Sequence, residues 1–179
     1  MINSTDRSTS IPVRPEQRDY RVEIVDNQLV LSRWQEIQKI LLRVFRDSHF
    51  NDDFKCTRPV EHTWEKIHEP SKLNIKHVMA FDADDEILGA FFVIPTHRPP
   101  GKEDCDIGWM FTIELHTRFR LQVLDSIVKE VHSTIKTAGF KRIITEMGTE
   151  AGASFLTKKY GYIHTPTEQQ NNRWIKELM

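Results

Sequence analysis

The sequence predicts a mixed α/β fold in the order βααβββαβαβ(β), one in which strand-helix-strand crossovers join onto hairpins. Three observations predict it. Apolar residues at three- and four-residue spacing mark two long stretches as helices, and runs rich in β-branched and aromatic residues mark strands around them. Gly139 and Gly161 stand just past two helical stretches, where a left-handed cap belongs.

In chain order, residues 1–19 are rich in Ser, Thr, Arg and Pro and nearly empty of apolar side chains, so they are expected to form a loose arm before a domain over residues 20–179. Tyr20 to Leu31 reads as two short strand-like pieces with Asp26-Asn27 as a turn between them. Ser32 is expected to cap a helix carried by Trp34, Ile37, Ile40, Leu41, Val44 and Phe45. Pro59 opens a second helix through His68, ended by Pro70. Ile75–Phe81 and Ile87–Ile94, separated by the acidic stretch Asp82–Glu86, form an antiparallel hairpin. That acidic stretch lacks the glycine and distal glutamate of a calcium loop and reads as a turn. A strand follows over Ile107–Ile113. Next comes a long helix with Leu121, Leu124, Ile127, Val128, Val131 and Ile135 on one face. Lys141–Met147 is a further strand, Thr149–Tyr160 a helix, and the tail supplies one or two strands around Trp174 and Ile175.

Composition narrows the function. With 25 Lys and Arg against 26 Asp and Glu the formal charge is -1, so no net positive field draws the chain to nucleic acid or anionic lipid. A hydrophobic content of 39% beside 28% charged residues describes an ordinary globular surface and core. The longest apolar run, Ile87–Pro95, is far short of the roughly 20 residues a membrane span needs. The two cysteines, Cys56 and Cys105, and the absence of a leading hydrophobic segment point to a reducing, cytoplasmic setting without a disulfide. His62, Glu65 and His68 read as solvated helix surface, and no metal is expected.

The element order, with Asp106-Ile107-Gly108-Trp109 leading into a strand, Arg118 opening the long helix, and the segment Ala153–Tyr162 ending in Tyr160-Gly161-Tyr162, resembles the GCN5-related N-acetyltransferase (GNAT) superfamily over roughly residues 20–179. The resemblance implies a GNAT-like fold. Its central, mostly antiparallel sheet is splayed between strands 4 and 5 and flanked by helices, with the pantetheine arm of an acyl donor in the gap. It implies that backbone amides around Phe111, Thr112 and Ile113 polarise the thioester carbonyl. Arg118, Phe119, Arg120, Leu121, Gln122 and Val123 then fall on the superfamily's pyrophosphate pattern Q/R-x-x-G-x-G/A, with Leu121 and Val123 in place of both glycines. Glycine there lets a phosphate approach the backbone without meeting a Cβ. Two donors therefore stay open: acyl-CoA, with acetyl-CoA as default, held by those amides with Arg118 and Arg120; or a longer acyl chain, or one carried on the phosphopantetheine of an acyl carrier protein.

The superfamily's acid position falls on Thr157, a poor proton donor, with Tyr160 and Tyr162 nearby. Asp106 and Glu114 rank first by position as the base that deprotonates the amine, ahead of Glu146, His97 and Glu103. Phe50, Asp53, Phe54 and Trp64 are the acceptor-side residues the resemblance implies. The implied activity is N-acyl transfer to a primary amine of a small molecule or peptide. The alternative is a GNAT-like module that has lost catalysis and binds a ligand or partner.

Overall fold

The computed structural model describes residues 19–46, 59–68, 75–108, 110–147 and 149–179. Among these, β1 (Tyr20–Val25) leads into α1 (Asn27–Ser32) and α2 (Trp34–Arg46), and α3 (Pro59–His68) precedes the hairpin of β2 (Ile75–Asp82) and β3 (Ile87–Pro95). Then come β4 (Asp104–Asp106), β5 (Met110–Thr112), the long α4 (Thr117–Thr137), β6 (Arg142–Thr145), α5 (Glu150–Tyr160), β7 (Ile163–His164) and β8 (Trp174–Glu177). Most of the expected arm, residues 1–18, lies outside the described residues. No helix among the described residues is long and apolar enough to cross a membrane.

Two expectations near the start change. Leu29–Leu31 is helix rather than strand, because the Asp26 side chain accepts the Leu29 N–H at 3.1 Å and caps α1. Ser32 is the last residue of that helix and bonds back to the Leu29 carbonyl, so it caps nothing; Arg33 provides the carbonyl that starts α2. The acidic stretch is the hairpin turn. Asp82 Oδ1 accepts the amides of Asp84 and Glu86, each at 2.9 Å, which lets Asp85 occupy φ +70° without glycine.

β2 and β3 are buried on both faces. Val78 and Ala80 pack with α4, whereas Met79 and Phe81 pack with α1 to α3, so the period-two alternation of a strand fills two cores at once. The sheet is thus the middle of three layers.

The expected strand over 107–113 is shortened to β5, and β4 forms just before it, in a stretch with no expected strand, on a different partner. β4 runs parallel to β6, and β5 runs antiparallel to β3. One four-stranded sheet has the order β1-β2-β3-β5 and the other β4-β6-β8-β7. The last bond from the β4 side is Ile107 N–H to the Ile144 carbonyl at 3.3 Å. Beyond it the chain leaves β6 and joins β3, and the two sheets diverge.

Candidate active site in the splayed cleft

The divergence opens a cavity of about 300 Å³. Its walls are β5 (Met110, Phe111, Thr112), the break at Ile107-Gly108, the end of β6 (Thr145–Met147), and the facing sides of α4 and α5. On α4 the lining residues are Arg120, Leu121, Leu124, Val128, Val131 and His132. Leu121 to His132 is eleven residues of helix, so this stripe is about 16 Å long.

Strand alternation decides which amides face the cleft. Ile113 N–H donates to the Leu88 carbonyl at 3.0 Å, which sets 113 and 111 to bond toward β3. Met110 and Thr112 then turn their amides the other way, toward the open edge. Of the three expected polarising residues, Phe111 and Thr112 line the cleft, and only Thr112 offers its amide there. The Ile113 amide is committed to the sheet.

The pyrophosphate segment is a second correction. Residues 118–123 lie inside α4, whose N-cap is His116, and the Arg120 amide already bonds to the His116 carbonyl at 2.8 Å. The amides from 120 to 123 are therefore used by the helix, and the free ones are those of Thr117, Arg118 and Phe119. With Leu121 and Val123 where the superfamily has glycines, nothing interrupts helical backbone. Arg120 and Leu121 line the mouth of the cleft. Arg118 is exposed and off its wall, as is Gln122, whose carbonyl accepts the Tyr20 hydroxyl at 3.2 Å. Phe119 meets the Tyr20 ring edge-on at 5.6 Å, and Val123 is fully buried in the core.

The expected acid and base residues sit elsewhere. Asp106 points to solvent beside Lys102, 3.6 Å away, and Glu114 and Thr157 are exposed and off the wall. Tyr160 donates its hydroxyl to the Asp125 carboxylate, and burial together with that bond raises its pKa, so it holds its proton. Burial opposes ionisation of Asp125, yet bonds from Lys159, Tyr160 and Lys129 hold its carboxyl down at about 2. Glu103 pairs with Lys141, and His97 is exposed. Trp64 packs at a tilt against Trp34 at 5.0 Å and against His68 at 3.7 Å, away from the cleft wall. Phe50, Asp53 and Phe54 lie outside the described residues.

Glu146, His132 and Tyr162 line the cleft instead. Glu146 is the one carboxylate on the cleft wall among the described residues. It stands at the rim, where burial raises its pKa and Gln170 Nε2 approaches at 3.5 Å. Inside, His132 Nε2 lies 2.9 Å from the Tyr162 hydroxyl. Burial, with Lys176 nearby, lowers the His132 pKa to about 4, so the ring is neutral at pH 7. Glu146 and Tyr162 were visible in the sequence as lesser candidates. His132 was not, because nothing in a helix pattern separates an inward histidine from a solvated one.

No protein-family model and no curated protein sequence matches the chain. Solved structures do. The C-terminal condensation domain of Ebony in complex with beta-alanyl-dopamine matches with a TM-score of 0.64 at 11% identity, over 90% of this chain and 100% of that one. Aminoglycoside 6'-acetyltransferase type Ii matches at 0.60 and 15%, over 89% and 97%. The GNAT family N-acetyltransferase YhbS from Escherichia coli, in complex with CoA, matches at 0.54 and 14%, over 93% and 85%. Likeness over nearly the whole chain, at identities this low, shows the fold: the chain has the fold of the GCN5-related N-acetyltransferases.

Proposed function

We propose that the protein transfers an acyl group from a thioester donor to a primary amine. The observation that carries this is the cleft itself: β4 and β5 pair with different sheets, and Met110 and Thr112, whose amides point away from β3, line one cavity with the carboxylate residue Glu146. An amide donor fixed in a sheet stabilises a carbonyl oxygen as it gains charge and needs no reorganisation to do so. Glu146, with its pKa raised, suits removal of a proton from the attacking ammonium. The apolar stripe of α4 suits the arm of the donor, and Arg120 with the first-turn amides suits its phosphate. The solved neighbours support the reading, one in complex with CoA and another with beta-alanyl-dopamine.

Acetyl-CoA is the default donor. A donor with a single phosphate, phosphopantetheine on a carrier protein, is the second reading, favoured because residues 120–123 are helix and leave three free amides where a wrapped loop offers more. Incubation with acetyl-CoA and with acetyl-pantetheine over a panel of primary amines and peptides, read by mass spectrometry, tests both. Acetylated product from either donor, reduced roughly 100-fold in Glu146→Gln, is the expected result. No acyl transfer from either donor, with neither of them binding in calorimetry, overturns the proposal.

A further inference from the structure

β1 is an end strand. It pairs with β2 and forms one edge of the sheet β1-β2-β3-β5, while β5 and the cleft lie at the other edge. The register shows where its free backbone groups point. Asp82 N–H donates to the Glu86 carbonyl at 3.1 Å, so Asp82 and Ala80 bond toward β3, and Phe81 and Met79 bond toward β1. Opposite Phe81 and Met79 stand Arg21 and Glu23. Tyr20, Val22 and Ile24 therefore turn their N–H and C=O groups outward, and among the described residues no backbone group pairs with them. Such an edge is a template for another strand.

The side chains decide which strand fits. Tyr20, Val22 and Ile24 share the face of the sheet that packs on α4; Arg21, lying over the Phe81 ring, shares the opposite face with Glu23. Lay a second β1 antiparallel to the first, with a two-fold axis at Val22. Val22 then meets Val22, Tyr20 meets Ile24, and Arg21 meets Glu23. The outward groups form three mutually bonded pairs, and Arg21 and Glu23 fall at the pairs where facing side chains approach most closely. A slide of two residues, the smallest that preserves faces and bonding, sets Arg21 opposite Arg21 or Glu23 opposite Glu23. Within one chain Arg21 bonds to Glu23 along the strand at 2.7 Å, and both side chains are exposed, so the same pair can form across the axis. Ile24, an apolar side chain left 49% exposed at this edge, is covered in that register. Its partner Tyr20 borders an open groove whose α4 wall carries Ser126, Glu130 and Ser133.

We propose that β1 pairs with β1 of a second copy of this chain about a two-fold axis at Val22, joining two four-stranded sheets into one. The occupant is a second copy because the charge pattern of the strand is complementary to itself in that register. Each cleft lies at the far edge of its sheet and stays open, so the inference stands apart from the acyl-transfer reading.

Sedimentation of the full chain tests it. The mass of the wild type rises with concentration, from micromolar toward millimolar, from 21.1 kDa toward twice that value. Val22→Pro removes an outward N–H, spares the bonds to β2, and holds the mass at the monomer. Arg21→Glu and Glu23→Arg each set like charges opposite one another and are monomeric alone. An equimolar mixture of these two variants associates, because every facing pair then has opposite signs, and this separates a lost interface from a lost fold. Hydrogen exchange reads the register: at high concentration the amides of Tyr20, Val22 and Ile24 slow about 10-fold or more, while those of Arg21 and Glu23, already bonded to β2, change little. A wild type that stays monomeric overturns the inference, including the case in which residues 1–18 cover the edge. A dimer that survives Val22→Pro, or a mixture of the charge variants that does not associate, overturns it as well.

Discussion

Single side chains in this protein are set by burial more than by their neighbours in sequence. His77 is fully buried, bonds to Asn27 Oδ1 at 2.7 Å, and has its pKa lowered to about 4, first by burial. His132 is lowered to a similar value for the same main reason. Both rings fold neutral, whereas the unfolded chain takes up protons from about pH 6.5 downward. The unfolded state therefore binds more protons between about pH 6.5 and 4, so stability falls as pH falls through that window and levels off, for these two groups, below it. At about 1.36 kcal/mol per unit, each histidine accounts for up to about 3 kcal/mol. Urea unfolding at pH 7 and pH 5 checks this: the drop shrinks in His77→Gln, and an identical drop in that variant excludes His77 as a source. Arg120→Ala is expected to raise the KM for a phosphate-bearing donor about 10-fold with kcat little changed, whereas Arg118→Ala, exposed and off the wall, leaves both alone. Which of two arginines two residues apart meets the ligand is a matter of helix phase, and the sequence named both equally. The proposed catalytic side chains were less legible. Asp106 and Glu114 ranked high by nearness to a strand end, but strand direction turns both to solvent, and Glu146 enters the cleft because β6 ends just before it.

Elements show where pattern was sufficient. The hairpin, the α3 span, the long α4 and the Gly139 and Gly161 caps at φ +88° and +70° are where apolar spacing and turn chemistry put them. These are local rules, satisfied within a few residues. The strand over 107–113 is only β5, at 110–112, and β4 at 104–106 falls where a proline-rich loop was expected; each forms because of the partner it meets, β6 for β4 and β3 for β5. That makes β5 sensitive to its contacts. Gly89→Ala places a Cβ 2.8 Å from the Phe111 carbonyl, so β5 must shift. The expected cost is about 1–3 kcal/mol in stability, with a larger proportional loss of acyl transfer, since the Thr112 amide moves with the strand. Thermal melting beside a transfer assay separates the two losses. Asp26→Ala removes the cap of α1 and is expected to cost about 1 kcal/mol without touching the donor KM.

At the scale of the molecule, two four-stranded sheets share one core yet part along β5 and β6, so a ligand in the cleft bridges surfaces that are otherwise joined by the break at Ile107-Gly108 and by α4 and α5. A donor that fills it stabilises the folded state by about 2.7 kcal/mol at a free concentration one hundred times its Kd. Hydrogen exchange should show the added protection at Met110 and Thr112, whose amides face the cleft, ahead of Phe111 and Ile113, already bonded to β3. Equal protection across 110–113 contradicts the assigned strand alternation. The sequence by itself determined the order of elements, the fold it resembles and the loss of glycine at 121 and 123, because periodicity, caps and turn residues act over a few positions. Only the tertiary structure decided that 118–123 is helix, that Thr112 and not Ile113 offers its amide, and that Glu146, His132 and Tyr162 meet in one cleft. Those facts depend on strand register, helix phase and the divergence of two sheets, and each is settled by partners distant along the chain.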